Sequence, residues 1–500
     1  MKTLNKEEIK ESLLILEKAI KNKVEKNKIK KEKEQLKKDK DKLKQDKDKL
    51  KTNEVLESIS QIELVNSSKY PQNTSISTTQ SPSIIDRRLF EITKQFLIKK
   101  KLVVYGGTAI NALLKPQDKF YTKEDKPDYD FYSENAREHA KELADIYLKE
   151  GYTDIQAKEA VHVGTFKVFV NREPVADITY LPFQLMSIIR STSRMGNEGF
   201  LCVSPNFLRI GMYLELSRPN GYIERWSKVF ERLSLLNSTY PIHVNNMECD
   251  NKNKLMIDDK NKKEIIDNAF EYLKGNKEII LIGSMAVNIY KKKELNKKGD
   301  DFFYLNNPRN ISYYDLISVN LEKTLEEVLR IFDQTYNLPQ ELLEKKDIKD
   351  FNNNKEYTIK NTKYEILYKK HLGIGELSEY IPEHYIVNIN GFNLMTIYKS
   401  EACYSYHRFR KINVGTIDTM LSFYFSFLMA NRHYYVRDRI LCLCNYLIEL
   451  QAKQWKTNRP LLKRFTLQCI GYQYTLDDFK KMRKEKMKRL KRRAWYYKPK

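Results

Sequence analysis

The sequence is poor in the residues that build disulfide frameworks and zinc sites. It has 6 cysteines and 7 histidines in 500 residues, and no two cysteines have the CxxC spacing. We therefore expect reduced, structural thiols and no Cys/His zinc site. The N-terminus lacks an apolar signal core, and the longest apolar run, near 420–430, is too short to cross a bilayer. These absences argue against a secreted disulfide scaffold or a membrane protein, and they predict a soluble intracellular chain.

Acidic residues are scarce at the two ends of the chain. Residues 1–51 hold 19 Lys and 11 acidic residues, and residues 480–500 hold 12 Lys/Arg and one acid, whereas the whole chain has a formal charge of +24. The body between the ends therefore carries 24 − 8 − 11 = +5. Two basic ends on a nearly balanced body indicate ends that contact a polyanion and a middle with another task.

The first part of the chain predicts a helix and a linker. Residues 1–56 are helical in pattern, with an apolar residue every seventh position from Ile29 to Leu50 but no second apolar seam, which favours a solvated charged helix over a coiled coil. Residues 57–82 are rich in Ser, Thr, Asn and Gln and predict a flexible linker.

From Ile84 onward the pattern alternates between helix and strand. The runs at 84–100, 108–115 and 135–151 have helical apolar spacing, and the runs at 102–105, 127–133, 163–171 and 174–182 read as strands. A turn is expected at 171–173. This order predicts a mixed α+β module of about 100 residues.

Three aspartates and two glycines carry the chemistry of this module. Asp128 and Asp130 lie two positions apart in a predicted strand and so share a face, and Asp177 interrupts an otherwise apolar strand. If the two strands are neighbours, the three carboxylates could hold two divalent metal ions, because hard oxygen ligands suit Mg²⁺.

Gly106 and Gly107, followed by Thr108, lie between a strand and a helix. Their missing side chains let backbone N–H groups approach a phosphate. A phosphate cradle beside metal-binding carboxylates indicates phosphoryl or nucleotidyl transfer. Each feature alone has a plain structural explanation, such as a tight turn or a structural ion pair, but their order and strand context together favour catalysis.

The segments YGGTAINALL, PDYDFYS and VADITYLP resemble the DNA polymerase β-like nucleotidyltransferases. Within that superfamily they are most similar to the poly(A) polymerase catalytic subunits of large cytoplasmic DNA viruses, above all mimivirus-like giant viruses. The resemblance implies addition of AMP from ATP to the 3′ end of RNA, with viral mRNA as the substrate, and two Mg²⁺ or Mn²⁺ ions on Asp128, Asp130 and Asp177. It places Gly106, Gly107 and Thr108 at the nucleotide phosphates. It further implies a homodimer located in the host cytoplasm (the viral factory), with the virion as a second location.

A helix with a basic face is predicted after the first module. Arg225, Lys228 and Arg232 are spaced by three and four residues and share a face. The resemblance implies that Lys228 contacts the nucleotide phosphates. The alternative is a solvated face behind a buried Trp226.

A second module echoes the first, because residues 277–293 repeat the strand and the helix of residues 100–115, with Gly283–Ser284 at the place of Gly106–Gly107. Its nearby acidic pair, Asp300–Asp301, is adjacent in sequence and cannot share a strand face. We predict a degenerate copy without a metal site. The predicted organisation is a charged helix (1–56), a linker (57–82), the catalytic nucleotidyltransferase module (83–190), a helical connector (191–264), the degenerate module (265–400), a helical region (401–479) and a basic tail (480–500).

The tail interleaves basic residues with Trp495, Tyr496 and Tyr497, which predicts sequence-independent RNA affinity. A disordered tail and a localisation signal are the alternatives. Two other functions use the same site or fold: another nucleotidyltransferase, such as a CCA-adding enzyme or an oligonucleotide synthase, and a non-catalytic RNA-binding scaffold.

Overall fold

The computed structural model describes residue 21 and residues 86–242 (without 123 and 163), 260–294, 314–339, 356–374 (without 362), 380–430, 437–454, 465–489, 491 and 494–500. The predicted linker, the predicted N-terminal helix apart from residue 21, and the Asp300–Asp301 pair lie outside these ranges. The described residues from Arg88 onward belong to one compact unit. Among the described residues, no helix is long and apolar enough to span a membrane.

The described elements are numbered in chain order. The strands are β1 Val103–Tyr105, β2 Asp130–Ser133, β3 Ile155–Glu159, β4 Thr165–Val170, β5 Glu173–Tyr180, β6 Arg194–Met195, β7 Leu201–Cys202, β8 Ile279–Ile282, β9 Tyr314–Ser318, β10 Glu356–Lys360, β11 Glu365–His371, β12 His384–Ile389, β13 Phe392–Lys399, β14 Tyr404–Phe409, β15 Ile412–Gly415, β16 Cys469–Ile470 and β17 Tyr496–Tyr497. The helices are α1 Arg87–Lys100, α2 Gly106–Leu113, α3 Ala136–Lys149, α4 Phe183–Thr192, α5 Pro205–Leu216, α6 Trp226–Thr239, α7 Lys260–Leu273, α8 Gly283–Glu294, α9 Leu321–Arg330, α10 Ile417–Ala430, α11 Arg437–Gln454 and α12 Leu476–Arg489.

The first sheet has the order β17-β3-β4-β5-β2-β1-β7-β6. Helices α1 and α3 cover one of its faces, where the Tyr147 hydroxyl donates to the Leu89 carbonyl and the Thr93 hydroxyl donates to the Val175 carbonyl. Strand β5 alternates as the sequence predicts, with Ile178 buried towards the helices and Asp177 half-buried on the other face. The covered face is therefore structural, and the opposite face is available for chemistry.

The predicted strands and the turn of this module are confirmed. Asn171 and Arg172 both have positive φ, which is the backbone of a two-residue hairpin loop between β4 and β5. Strand β3 was missed, because its sequence Ile155–Glu159 contains two charged residues and one glutamine. It alternates buried and half-buried positions, which is the pattern of a strand with one face on the core.

The second sheet repeats the first strand for strand. The order of this nine-stranded sheet is β10-β11-β12-β13-β9-β8-β15-β14-β16. Its seven inner strands, from β11 to β14, correspond in order to β3-β4-β5-β2-β1-β7-β6 of the first sheet. Each matched pair also has the same direction: β13·β9 and β5·β2 are parallel, whereas β9·β8 and β2·β1 are antiparallel. The two modules therefore share one topology, as the predicted duplication requires.

Two predictions about the C-terminal half were wrong. The region predicted as helical over 401–479 begins with β14 and β15, which belong to the second sheet and precede helices α10 and α11. Cysteines predicted as reduced thiols include a disulfide between Cys403 and Cys469. Strand β16 pairs with β14 and brings these two residues, 66 positions apart in sequence, to a Cα separation of 5.2 Å.

Two residues of the basic tail, Tyr496 and Tyr497, form a strand at the edge of the first sheet. Strand β17 pairs antiparallel with β3, and the Tyr497 hydroxyl donates to Asp145 of α3. Trp495 lies edge-on to Phe166, with ring centroids 5.3 Å apart. Strand β17 thus occupies the edge position that β10 occupies in the second sheet. The tail was predicted to bind RNA, and the structure shows that its strand β17 forms one edge of the first sheet.

We therefore expect deletion of residues 494–500 to destabilise the protein. The deletion removes the pairing of β17 with β3 and the two hydrogen bonds between Trp495 and Glu159. It also removes the hydrogen bond from the Tyr497 hydroxyl to Asp145. At roughly 1 kcal/mol net for each hydrogen bond, the free energy of unfolding should fall by about 2–4 kcal/mol. Thermal unfolding measures this loss, with Tyr496→Ala as the control because its side chain is 58% exposed. An unchanged melting temperature after the deletion would contradict a structural role for β17.

Candidate active site

Two of the three predicted aspartates lie side by side on neighbouring strands. Asp130 opens β2 and pairs in register with Asp177 of β5, and the Asp177 N–H donates to the Tyr129 carbonyl at 2.9 Å. Asp128 precedes β2 and is exposed, whereas Tyr129 between the two acids is buried on the opposite side. The alternation predicted from the Asp-x-Asp pattern is therefore present, although the strand begins only at its second aspartate.

The carboxylates repel one another. Burial, together with the charges of Asp128 and Asp177, raises the pKa of Asp130 to about 8, while the charges of Lys167 and Arg225 oppose this rise. Burial likewise raises the pKa of Asp177, while Lys167 lowers it. Such a cluster lacks enough positive charge to keep every member ionised at neutral pH.

Lys167 supplies the nearest cation. It lies opposite Asp177 on β4, and its ammonium contacts the Asp177 carboxylate at 2.5 Å. Within the described ranges, no three acidic, histidine or cysteine side chains converge on one point as metal ligands would. The donor set nevertheless fits a hard divalent cation, since three mutually destabilised carboxylates gain most from added positive charge.

The glycine loop lies directly against these acids. Gly106 has φ of +72°, and a Cβ there would approach the Asp130 carboxylate oxygen to 2.8 Å. A Cβ on Gly107 would approach the Tyr121 hydroxyl to 2.5 Å and the Arg232 guanidinium to 2.7 Å. Gly106 therefore needs glycine for its backbone conformation and for the close carboxylate, whereas a Cβ at Gly107 would require the Tyr121 and Arg232 side chains to shift. The buried Thr108 donates its hydroxyl to the Asp128 carbonyl and so fixes the loop that carries the acids.

The basic helix predicted after the first module faces this loop. Arg225 ends a short 3₁₀ turn and α6 begins at Trp226. Burial and the charges of Arg232 and Arg225 lower the pKa of Lys228, and Asp128 opposes this effect. Lys228 therefore lies within electrostatic range of Arg225 and Arg232, which repel it, and of Asp128, which attracts it. Such a cluster is an attractive place for an anion.

Arg232 lies against two adjacent aromatic rings that the sequence did not single out. Its guanidinium lies 4.2 Å from the Phe120 ring centroid and donates to the Tyr121 hydroxyl at 3.1 Å. The Asn111 side chain accepts both the Phe120 and the Tyr121 N–H, which anchors the polar stretch between α2 and β2. The contact of Arg232 with Gly107 could not be predicted because this stretch has no periodic pattern.

The second module retains one of the acids. Asp315 of β9 pairs with Ile282 of β8 and with Thr396 of β13, at the positions where Asp130 pairs with Tyr105 and Asp177. Burial raises the pKa of Asp315 to about 8, while the Arg439 charge and the Thr396 hydroxyl lower it. Asp300–Asp301 was the pair considered from the sequence, and Asp315 was missed. Its strand, YDLIS, nevertheless resembles DFYS of β2, with Asp315 at the place of Asp130. Threonine in place of the second acid removes the shared-face pair.

Asp315 makes the stability of the protein depend on pH. Its folded pKa lies above its ordinary value, so the folded state keeps a proton that the unfolded state has lost between about pH 4 and pH 8. The contribution to stability is present below pH 4 and is lost as the pH rises towards 8. We expect Asp315→Asn to stabilise the protein more at pH 9 than at pH 5, as measured by thermal unfolding. An equal effect at both values would contradict the raised pKa.

Comparisons with known proteins agree with this geometry. Residues 91–221 match the family model described as poly(A) polymerase catalytic subunit. The "Putative poly(A) polymerase catalytic subunit" of Acanthamoeba polyphaga mimivirus is 28% identical over 284 residues, which are 53% of this chain and 46% of that protein. A protein of the same name from African swine fever virus (isolate Pig/Kenya/KEN-50/1950) is 31% identical over 171 residues, covering 33% of this chain and 35% of the relative. The chain thus matches less than half the length of these relatives.

The crystal structure of the Megavirus polyadenylate synthase has a similar fold. It aligns with a TM-score of 0.66 and 20% identity, and the match covers 83% of this chain and 79% of that one. The predicted resemblance and the predicted nucleotidyltransferase-like fold are confirmed. The segment that matches the family model holds the glycine loop and all three aspartates.

Proposed function

We propose that this chain is a template-independent poly(A) polymerase that transfers AMP from ATP to the 3′ hydroxyl of RNA, with viral mRNA as the substrate. The lateral pairing of Asp130 with Asp177 beside the Gly106 loop carries the proposal. It lies within the segment that matches the poly(A) polymerase family model. The polyadenylate synthase of similar fold supports the same reaction class.

Each group of the site has a task in this reaction. Asp128, Asp130 and Asp177 would hold two Mg²⁺ or Mn²⁺ ions, which when bound supply activation of the attacking hydroxyl and charge neutralisation at the phosphates. Asp130 would release a proton to solvent when it holds a metal ion, because its pKa of about 8 leaves it largely protonated at neutral pH.

The glycine loop and the basic helix would receive the triphosphate. Gly106 and Gly107 begin α2, where free N–H groups and the helix dipole favour an anion. Arg232 adds positive charge beside Gly107, and the Phe120 and Tyr121 rings hold it in place. Lys228 interacts with the charges of Arg232 and Asp128 and adds a second cation. These interactions orient the nucleotide before reaction, which is how phosphoryl-transfer enzymes gain much of their rate.

A nucleotide panel on one RNA primer tests the proposal. We expect a long ladder of products with ATP and little extension with the other three nucleotides. A primer with a 3′-deoxy end is the control and should not be extended. Addition of CCA would favour a tRNA-type enzyme, and primer-independent products would favour an oligonucleotide synthase. No incorporation with either metal would favour an RNA-binding scaffold.

Two further features are proposed from the resemblance alone. A homodimer would appear as twice the chain mass in light scattering. A location in the host cytoplasm, at the viral factory, and in the virion would be tested by fractionating infected cells and purified particles.

A further inference from the structure

A straight row of side chains leads away from the catalytic carboxylates across the first sheet. Residues that pair laterally on neighbouring strands point to the same face. The row passes from β2 to the edge of the sheet through Asp130, Asp177, Lys167, Lys158 and Tyr496.

This face is accessible to solvent where the row approaches the edge of the sheet. Helices α1 and α3 cover the opposite face, and Tyr497 and Trp495 of the tail point towards it, to Asp145 and Phe166. Tyr496 lies between them and points the other way, with 58% of its surface exposed. Lys167 has 38% of its side chain exposed. A long polyanion could therefore reach Lys167 and Tyr496 from solvent, and Lys167 in turn contacts the half-buried Asp177.

The row and its surroundings are basic and aromatic. Lys158 lies over the ring of Phe169, with its ammonium 4.2 Å from the ring centroid, so both side chains share this face. Arg483 of α12 donates to the Glu159 carbonyl at the end of β3. This contact brings α12, with its exposed Lys480, Lys481 and Lys484, to the same edge of the sheet. Cations beside exposed rings are the combination that single-stranded nucleic acid uses.

The second module offers an internal comparison. Its corresponding row consists of Asp315, Thr396, Ile386, Lys369 and Glu356. Isoleucine replaces Lys167 and glutamate replaces the edge tyrosine, so only one of the three binding groups is kept. The basic and aromatic row therefore accompanies the acid pair and is not a requirement of the shared fold.

We propose that this row binds the 3′-terminal nucleotides of the RNA primer, with Lys158 and Lys167 at phosphates and Tyr496 stacked on a base. The inference rests on the proposed function and adds the path of the primer strand. At about 4.8 Å between neighbouring strands, Tyr496 lies three strands and about 14 Å from Asp177. The C-terminal strand thus contributes a binding residue to a site whose catalytic residues come from the N-terminal half.

Binding of a fluorescent single-stranded RNA, measured with Ca²⁺ in place of Mg²⁺ to prevent turnover, tests the row. Tyr496→Ala should weaken binding by about 5- to 150-fold, the range for loss of stacking on one base. Tyr496→Phe keeps the ring and should restore the affinity. Lys158→Ala should weaken binding and flatten the log–log salt slope by about 0.7, as expected for one lost phosphate contact.

Lys369→Ala is the matched control, because it changes the counterpart of Lys158 in the second module and should leave RNA affinity unchanged. Melting temperatures close to that of the unmodified protein would show that β17 stays in place. If the unmodified protein extends RNA but Tyr496→Ala and Lys158→Ala bind as well as it does, this inference is wrong and the proposed function stands. If it binds RNA through Tyr496 but adds no AMP, the proposed function alone fails. If it binds no RNA, both fail.

Discussion

Replacing Asp130 by asparagine is expected to lower kcat for AMP incorporation about 10³-fold or more, the scale on which loss of one preorganised charge-stabilising group acts. Asparagine keeps the shape of the side chain but removes the charge that would hold metal. The fold should survive, because burial raises the pKa of Asp130 to about 8 and the neutral form already dominates at pH 7. Primer extension under single-turnover conditions and thermal unfolding measure the two effects separately.

The second module provides the matched control for this change. Asp315 has the same strand position, the same neighbouring glycine conformation and a pKa that is also raised to about 8. Asp315→Asn should therefore change stability without lowering AMP incorporation. Asp177→Thr copies the residue of the second module into the first and should be as inactive as Asp130→Asn. Equal loss of activity from Asp130→Asn and Asp315→Asn would mean that the wrong module has been identified as degenerate.

Strand alternation alone predicts that Asp128 and Asp130 share a face, whereas the position of Asp177 beside them also required the two strands to be neighbours. Asp177 stood out as a single charge in the apolar run VADITYL, and the structure places it opposite Asp130. The duplication was visible because both copies have a buried strand that runs into a glycine and then a helix, with Gly106–Gly107 in the first and Gly283–Ser284 in the second. Its consequence for Asp315 was not visible, since one aspartate in YDLIS has no partner in the sequence to mark it.

Lys167 could not be placed by counting along the hairpin. The two-residue loop at Asn171–Arg172 pairs Val170 with Glu173, and simple counting would then place Lys167 opposite Ala176. An irregularity between Val168 and Phe169 shifts the register by one residue and brings Lys167 opposite Asp177. A shift of one residue exchanges the two faces of a strand, and nothing in the local sequence marks this bulge.

Contacts between distant segments were the other source of error. Strand β17 lies more than 300 residues from β3, and composition alone suggested a free basic tail. The disulfide between Cys403 and Cys469 depends on the pairing of β14 with β16 in the same way. Local patterns specify elements, whereas the choice of a sheet-edge partner depends on which edge the rest of the fold leaves open.

Gly106→Ala is expected to have the second large effect on activity. The left-handed backbone at φ +72° costs a residue with a Cβ about 1–2 kcal/mol. The new methyl group would also lie 2.8 Å from the Asp130 carboxylate oxygen, so the carboxylate must move. A displacement near 1 Å at a reacting centre can lower the rate about 10²-fold. Single-turnover extension of an RNA primer measures that loss.

Gly283→Ala separates the effect on the site from the effect on the fold. Gly283 begins α8 with φ +76°, and a Cβ there would contact the Asp315 carboxylate, so the same strain arises in the second module. Both variants should lower the melting temperature, but only Gly106→Ala should lower the rate measured well below that temperature. A rate that falls equally in the two variants would mean that the glycine acts through stability alone. A loss confined to Gly106→Ala would show that the position of the Asp130 carboxylate limits the chemistry. Gly106, at the end of the neighbouring strand β1, permits that position because it has no side chain.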